Sequence, residues 1–125
     1  MHPLPSAVAA YIDAYNRMDV DGMLDCLTED VAFTNLSDGA VTAQTRGRDE
    51  FRELALVGVS AFETRCQSVT NAISVAGTTV IQVDYSAVVG ADLPNGWKKG
   101  QSLSLVGASL FRLRDDRIEL IVDES

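Results

Sequence analysis

The feature that most constrains the fold is the stretch from residue 7 to residue 35, whose pattern predicts two packed helices followed by a strand. In its first part, apolar residues recur at the spacing of one face of an α-helix, namely Val8, Tyr11, Ile12 and Tyr15. Ser6 is the predicted N-cap of this helix, and Asp19 is the predicted cap of a second one. The same spacing repeats in the second helix, at Val20, Met23, Leu24 and Leu27. Because the link between the helices is short, we expect them to pack as neighbours.

A strand is predicted directly after this pair of helices. Residues 28–30 are poor strand formers and predict a turn. The following residues alternate with a period of two, so Val31, Phe33 and Asn35 share one face of the strand. Since a buried amide must be hydrogen-bonded or must bind something, Asn35 is a candidate residue of a binding pocket.

The rest of the chain predicts a third helix and then a sheet. A turn at Gly39 and a short strand at residues 41–43 come before Gly47, which precedes the helix. The apolar stripe of that helix consists of Phe51, Leu54, Ala55, Gly58, Val59 and Phe62. The predicted β runs cover residues 64–76, 78–89, 102–114 and 118–123, with a hairpin at Gly77. Helices followed by an antiparallel meander indicate the α+β class, and a length of 125 residues suits a single domain over residues 1–125.

Both faces of the predicted sheet carry apolar residues. In the run at 102–114, one face carries Leu103, Leu105, Gly107, Ser109, Phe111 and Leu113, and the other carries Val106, Ala108 and Leu110. Three helices can cover only one face of such a sheet. A second copy of the chain is the simplest cover for the other face, so we expect a homodimer.

Charge and composition exclude several classes of function. The chain has 18 acidic against 10 basic residues, a formal net charge of −8, so we expect it to repel nucleic acid. No segment approaches the roughly 20 apolar residues that a membrane span needs. The N-terminus lacks a basic region followed by an apolar run, so no secretory signal is expected and a cytoplasmic location is predicted.

Histidine and cysteine usage argues against the common metal sites and triads. His2 is the only histidine and lies at the terminus, which argues against a histidine-based triad, a typical zinc site and a His–Asp dyad. Cys26 and Cys66 lack metal-ligand spacing and are predicted to be two buried thiols rather than a disulfide. We therefore expect neither a metal nor a cofactor.

The motifs of residues 19–23, 28–35, 42–51 and 110–118 together resemble the nuclear-transport-factor-2-like superfamily. That group includes ketosteroid isomerases, limonene epoxide hydrolases, scytalone dehydratases and the polyketide cyclases called SnoaL-like. The resemblance implies a cone-shaped domain in which a curved antiparallel or mixed sheet wraps around three helices and encloses an apolar pocket. It also implies dimerisation through the outer face of the sheet. One fold hosts many functions, so the resemblance alone does not fix the chemistry.

Comparison with the isomerases and cyclases suggests roles for individual positions. Tyr11 matches the tyrosine that donates the oxyanion hydrogen bond in ketosteroid isomerases. Asn35 occupies the position of the general-base aspartate of those enzymes, and Ser109 occupies the position of their second oxyanion donor. Because both residues differ from those of the isomerases, steroid isomerase activity itself is not expected. Asn35 fits the cyclase pattern, whereas Ser109 replaces the histidine of the cyclases. Asp123 corresponds to the general base of the cyclases, and a half-dry pocket would raise its pKa toward neutrality.

The orientation of Asp123 stays open at this stage. The periodicity of the last strand predicts that Ile118, Leu120 and Val122 are buried, which leaves Glu119, Ile121 and Asp123 opposite. The further candidates for contact with a ligand are Ser109, Asn71, Phe33, Phe111 and Trp97. Trp97 lies on a predicted loop, where it is a candidate either to close the mouth of the pocket or to fill a gap in the dimer. Asp84 is predicted to face solvent.

The sequence thus supports two hypotheses. In the first, the protein is a cofactor-free isomerase or cyclase that abstracts a proton next to a carbonyl of a small hydrophobic molecule. Asp123 is then the base, and Tyr11 and Asn35 stabilise the enolate. In the second, the same pocket or sheet serves a non-catalytic ligand-binding or protein-interaction module.

Overall fold

In the computed structural model, which describes residues 4–125, the first two helices form as the sequence predicts. Helix α1 spans Ser6–Asn16 and buries Val8, Tyr11 and Ile12 on one face. Its N-cap is Pro5 rather than the predicted Ser6, because the carbonyl of Pro5 accepts the first helical hydrogen bond, from the Ala9 amide at 3.0 Å. His2 lies outside the described residues.

Helix α2, Val20–Asp25, is short and is fixed by its cap. The Asp19 carboxylate accepts a hydrogen bond from the Gly22 amide at 2.9 Å, as predicted. A Cβ at position 22 would lie 2.5 Å from Oδ2 of Asp19, so a larger residue there would displace the capping carboxylate. The helix ends earlier than the apolar spacing suggests, so the buried residue Leu27 begins the first strand.

The third helix, α3, spans Arg48–Ala61 and lies against the sheet. The six strands are β1 (Leu27–Ser37), β2 (Ala40–Arg46), β3 (Phe62–Val75), β4 (Thr78–Val89), β5 (Ser102–Arg114) and β6 (Arg117–Glu124). They form a single curved sheet in the order β2-β1-β6-β5-β4-β3. Only β1 and β6 pair in parallel, so the sheet is mixed and the α+β class is confirmed.

Two local predictions for β1 and β2 are wrong. Residues 28–30 belong to β1 instead of forming a turn, because the pairing with β6 is interrupted between Leu27 and Ala32 and accommodates them. Arg114 also holds Asp30 in this segment through an ion pair of 2.6 Å. Strand β2 extends well beyond the predicted residues 41–43, since it pairs along β1 as far as Arg46.

The three helices cover the inner face of the sheet, and its exposed outer face carries several apolar residues among polar ones, as predicted. Phe111, Ile81 and Ile121 are among the most buried residues of the inner face. On the outer face, Ile73 and Val106 are each 62% exposed. None of the helices in residues 4–125 has both the length and the apolar character required to traverse a bilayer.

The two cysteines differ in exposure, so the prediction of two buried thiols is half wrong. Cys26 is buried and Cys66 is exposed, and neither forms a disulfide. Side chains alternate along a strand. Because Arg65 on β3 points inward, its neighbour Cys66 must point to the outer face.

Candidate functional site

A cavity of about 440 Å³ lies between the helices and the inner face of the sheet. This volume is in the usual range for a small-molecule site. Most of its wall is apolar, and Phe33, Phe51, Leu54 and Phe62 contribute to it. A few polar side chains interrupt this wall, and they concentrate at two places.

The first polar group is a row across three neighbouring strands. Asn35 on β1 pairs with Asp123 on β6, and Asp123 pairs in turn with Ser109 on β5. Residues directly opposite each other in a sheet project from the same face. All three residues line the cavity, so the structure brings together three of the residues singled out in the sequence.

An irregularity in the sheet turns Asp123 inward. The register between β5 and β6 shifts so that Leu113 faces Ile118 while Arg112 faces Leu120, which leaves Glu119 as an extra residue. A bulge of this kind reverses the alternation beyond it. The buried set on β6 is therefore Ile118 and Ile121, and the predicted inward positions of Leu120 and Val122 are wrong.

The environment of Asp123 favours its uncharged form. Burial raises the pKa of its carboxyl from 3.8 to about 6, and the hydrogen bond from Ser109 only partly offsets this. The Ser109 hydroxyl donates to Oδ1 of Asp123 at 2.6 Å and is itself 6% exposed. Asp123 is therefore a carboxylate that can take up a proton near neutral pH.

The raised pKa of Asp123 predicts a pH-dependent cost in stability. As the pH rises from about 4 to about 6, the carboxyl ionises in the unfolded chain before it ionises in the folded one, so stability falls. The full cost above pH 6 is about 3 kcal/mol, at 1.36 kcal/mol per pKa unit for the rise from 3.8 to about 6. We expect Asp123→Asn to raise the free energy of unfolding at pH 8 by up to this amount and to change it little at pH 4. Urea unfolding at both values measures this difference.

The matched control is Asp25→Asn, which makes the same change at an exposed position at the end of α2, away from the outer face of the sheet. It should leave the free energy of unfolding nearly unchanged at both pH values. An Asp123→Asn protein that is no more stable than the wild type at pH 8 would contradict the assigned burial of this carboxylate.

Tyr11 contributes a buried hydroxyl to the same cavity. Its ring lies 6.4 Å from that of Phe51 and 5.8 Å from that of Phe111, measured between ring centroids. Burial raises the pKa of Tyr11 well above its usual value, and the negative charge of Asp123 adds to this. Tyr11 therefore stays protonated at all ordinary pH values and offers a neutral hydroxyl that can donate a hydrogen bond.

The amide of Asn35 is only partly available. Its Nδ2 donates to the hydroxyl of Thr42 at 2.7 Å, which uses one of its two N–H bonds. The other N–H and the amide oxygen remain for a ligand. Asn35 is thus held in place by β2 while it lines the cavity.

Two predicted ligand contacts lie elsewhere. The register of β3 against β4 shifts between Val69 and Asn71, so Asn71 points to the outer face and donates to Gln82 at 3.0 Å. Phe111 is buried behind Tyr11 and is not part of the cavity wall. Phe33 and Trp97 do line the cavity, and Trp97 packs against Phe62 with ring centroids 6.3 Å apart.

The second polar group of the cavity was not predicted from the sequence. It consists of Arg65 on β3, which is buried, together with Tyr15 and Tyr85. Arg65, Gln67 and Val69 follow one another on β3 at intervals of two residues. The period-two pattern of this strand therefore places Arg65 on the same face as Val69, and this could have predicted that it points inward. Within residues 4–125, no group of three or more His, Cys, Asp and Glu side chains is arranged to hold a metal ion.

Comparisons with known proteins agree with this architecture. The model of the SnoaL-like domain family matches residues 8–121. No curated protein matches the sequence. A protein of ketosteroid isomerase-like fold from Catenulispora acidiphila, solved with trimethylamine, is 19% identical with a TM-score of 0.79, over 97% of this chain and 85% of that one.

Two candidate polyketide cyclases of known structure are similar as well. The protein from Xanthomonas campestris is 25% identical with a TM-score of 0.74, over 95% of this chain and 87% of that one. The protein from a Silicibacter species is 26% identical with a TM-score of 0.74, over 94% of this chain and 84% of that one.

Proposed function

Because the chain belongs to the SnoaL-like domain family, we propose that it is an enzyme that removes a proton next to a carbonyl group of a small hydrophobic compound. Isomerisation and aldol-type cyclisation both begin with this step. The observation that carries the proposal is the carboxyl of Asp123, whose pKa is raised to about 6 inside an apolar cavity. A base with a pKa near the working pH is the most effective one for such a step.

The proposed step uses three groups of the cavity. The free carboxylate oxygen of Asp123 takes the proton from the α-carbon, and the electrons of the broken C–H bond move to the carbonyl oxygen. Tyr11 donates a hydrogen bond to the resulting enolate oxygen, and the remaining N–H of Asn35 is the second donor. Ser109 holds the other oxygen of Asp123 and thereby sets the direction of the free one.

The similar structures support this class of reaction. Two of them, at 25% and 26% identity, are candidate polyketide cyclases, and cyclisation of a polyketide proceeds through carbanion chemistry next to a carbonyl. The proposal rests on the residues of the cavity and uses this similarity only as support. Exchange of α-protons for deuterium in a bound ketone tests it, with Asp123→Asn as the decisive variant.

A second function, non-catalytic binding of a small ligand, is favoured by one observation. One of the two N–H bonds of Asn35 is already engaged by Thr42, which leaves fewer donors for an enolate than in a dedicated site. A binding module would take up hydrophobic ketones without exchanging their protons. The same exchange experiment therefore separates the two functions.

We further propose that the protein is a homodimer that buries the outer face of its sheet. This face carries exposed apolar residues, among them Ile73 and Val80, which pair across β3 and β4, and Val106 further along the face on β5. We expect Val106→Lys to dissociate the dimer, because the charge would lie in a desolvated interface. Light scattering at micromolar concentration measures the mass.

The control for this prediction is Leu56→Lys on α3, which places the same charge at an exposed apolar position away from the sheet. That variant should keep the dimer mass. A wild-type protein with the mass of a monomer would contradict the proposed assembly.

A further inference from the structure

The second polar group of the cavity contains a buried cation with no ion-pair partner. Arg65 is 7% exposed, and none of the ion pairs among residues 4–125 includes it. Burial of a charged group is costly unless an opposite charge or a set of hydrogen bonds compensates it. No carboxylate among residues 4–125 therefore neutralises this positive charge, which lies at a place where a ligand can reach it.

Contacts within the protein fix the guanidinium but use few of its donors. Nε of Arg65 donates to the carbonyl oxygen of Tyr15 at 3.1 Å, and Cζ lies 3.6 Å from the centroid of the Tyr15 ring. Nη2 has only the thioether sulfur of Met23 at 3.9 Å, which is a weak acceptor. The two terminal nitrogens thus keep most of their hydrogen-bonding capacity.

The space beside these nitrogens is open to the cavity. Both Arg65 and Gly58 of α3 line it. A Cβ at Gly58 would lie 3.4 Å from Nη1 of Arg65, so the helix presents no side chain over this nitrogen. A ligand group can therefore occupy the position that a larger residue at 58 would cover.

Arg65 lies at a different end of the cavity from Asp123. Strand β4 lies between the strands of Arg65 and Ser109 and allows their positions to be compared. Arg65 pairs with Ala87 of β4. Ser109, which also pairs with Asp123, pairs with Ile81 of β4. A separation of six residues along an extended strand corresponds to about 20 Å between these rows. A nearby cation would lower the pKa of a carboxyl, but only burial and the hydrogen bond from Ser109 act on the pKa of Asp123. The two charges are thus separate features of one cavity.

We propose that the ligand of this cavity is a hydrophobic carboxylic acid, whose carboxylate pairs with the terminal nitrogens of Arg65. The planar guanidinium matches a carboxylate in geometry, and a charge-assisted pair of hydrogen bonds is stronger than a neutral one. This inference rests on the proposed function for the rest of the ligand, which places a ketone near Asp123. The substrate class is accordingly a keto acid with an apolar body between its two polar ends.

The acidic character of the whole chain does not oppose this pairing strongly. The formal net charge of −8 acts mainly from exposed carboxylates, and salt screens such charges over about 10 Å. A direct contact with Arg65 in the apolar cavity is screened far less. The local charge therefore decides which ligands are accepted.

A matched pair of probes tests the inference without knowledge of the natural substrate. 6-Phenylhexanoate and 6-phenylhexanamide differ only in the charge of their head group. Titration calorimetry gives both affinities, and the fluorescence of Trp97, the single tryptophan and a cavity residue, provides a second readout. We expect the wild type to bind the acid about 10- to 100-fold more tightly than the amide.

Two variants connect this preference to Arg65. Arg65→Met keeps a long unbranched side chain but removes the charge, and it should bind acid and amide about equally. Gly58→Leu keeps Arg65 and covers Nη1, and it should weaken binding of the acid more than that of the amide. Leucine is favoured over glycine in a helix, so this variant should fold even if Arg65→Met does not.

The outcomes separate this inference from the proposed function. Equal affinity for acid and amide in the wild type, no saturable binding of the acid, or a preference retained in Arg65→Met would each overturn it. If Arg65 served only to hold Tyr15 in place, its loss would lower stability without changing the preference. Asp123→Asn should keep the preference, so a failure of the proposed proton transfer leaves the test of Arg65 intact.

Discussion

Replacing Asp123 with asparagine is expected to slow deuterium exchange at the α-carbon of a bound ketone by about 10²- to 10⁴-fold, the usual contribution of a general base. Asparagine has the same shape and can still accept the hydrogen bond from Ser109, but it cannot take up a proton. 2-Tetralone is a suitable probe, because it is a compact apolar ketone with activated α-protons. Proton NMR in deuterated buffer measures the exchange rate directly.

The pH dependence of the same reaction identifies the base independently. Only the ionised carboxylate can accept a proton, and the pKa of Asp123 is about 6. The exchange rate should therefore rise through pH 6 and reach a plateau above it. This pH dependence should disappear in Asp123→Asn, which has no titrating group at this position.

Asp25→Asn serves again as the control, since it removes an exposed carboxylate outside the cavity and away from the outer face, and it should leave the exchange rate unchanged. Exchange that survives in Asp123→Asn at the wild-type rate would contradict the assigned role. Saturable binding of the ketone without any exchange in the wild type would instead favour a binding module.

Most of the fold follows from local patterns that can be recognised in the sequence. The helical spacing of Val8, Tyr11 and Ile12 and the cap at Asp19 both place elements where the structure has them. The four strand runs after α3 are right to within about two residues, because alternation and turn residues agree there. Such patterns depend on neighbours along the chain, so a single sequence suffices to predict them.

The site depends on features that a single strand does not show. Asp123 points inward only because a bulge opposite Leu113 shifts the alternation of β6, and Asn71 points outward because a similar shift interrupts β3. A bulge is a property of two paired strands. The periodicity of one strand therefore predicts the wrong face for every residue that follows the bulge.

The two buried ionisable residues of the cavity, Asp123 and Arg65, are also not explained by the packing of the fold. The cavity holds both a carboxylate whose ionisation lowers the stability of the empty protein and a buried guanidinium that forms no ion pair within residues 4–125. Groups that lower stability in this way are commonly retained for function. Asp123 and Arg65 are thus the two residues whose replacement should separate stability from ligand chemistry most clearly.

Phe111 is expected to affect stability rather than ligand chemistry. Its removal should have the largest effect on stability. It is 1% exposed, lies opposite Ile121 in the sheet and supports the ring of Tyr11. Truncation of a buried phenylalanine to alanine leaves a cavity and usually costs 3–5 kcal/mol. We expect a loss of about this size for Phe111→Ala in urea unfolding, a large part of the total stability of a small domain.

Two further variants make this prediction specific to burial. Leu56→Ala, at an exposed position of α3 away from the proposed dimer interface, should change the free energy of unfolding by less than about 0.5 kcal/mol. Phe111→Leu keeps most of the volume and should fold even if the alanine variant does not. Because Phe111 lies behind the cavity wall, Phe111→Leu should lower stability while leaving ketone affinity nearly unchanged. A loss of affinity without a loss of stability would instead place this ring in contact with the ligand.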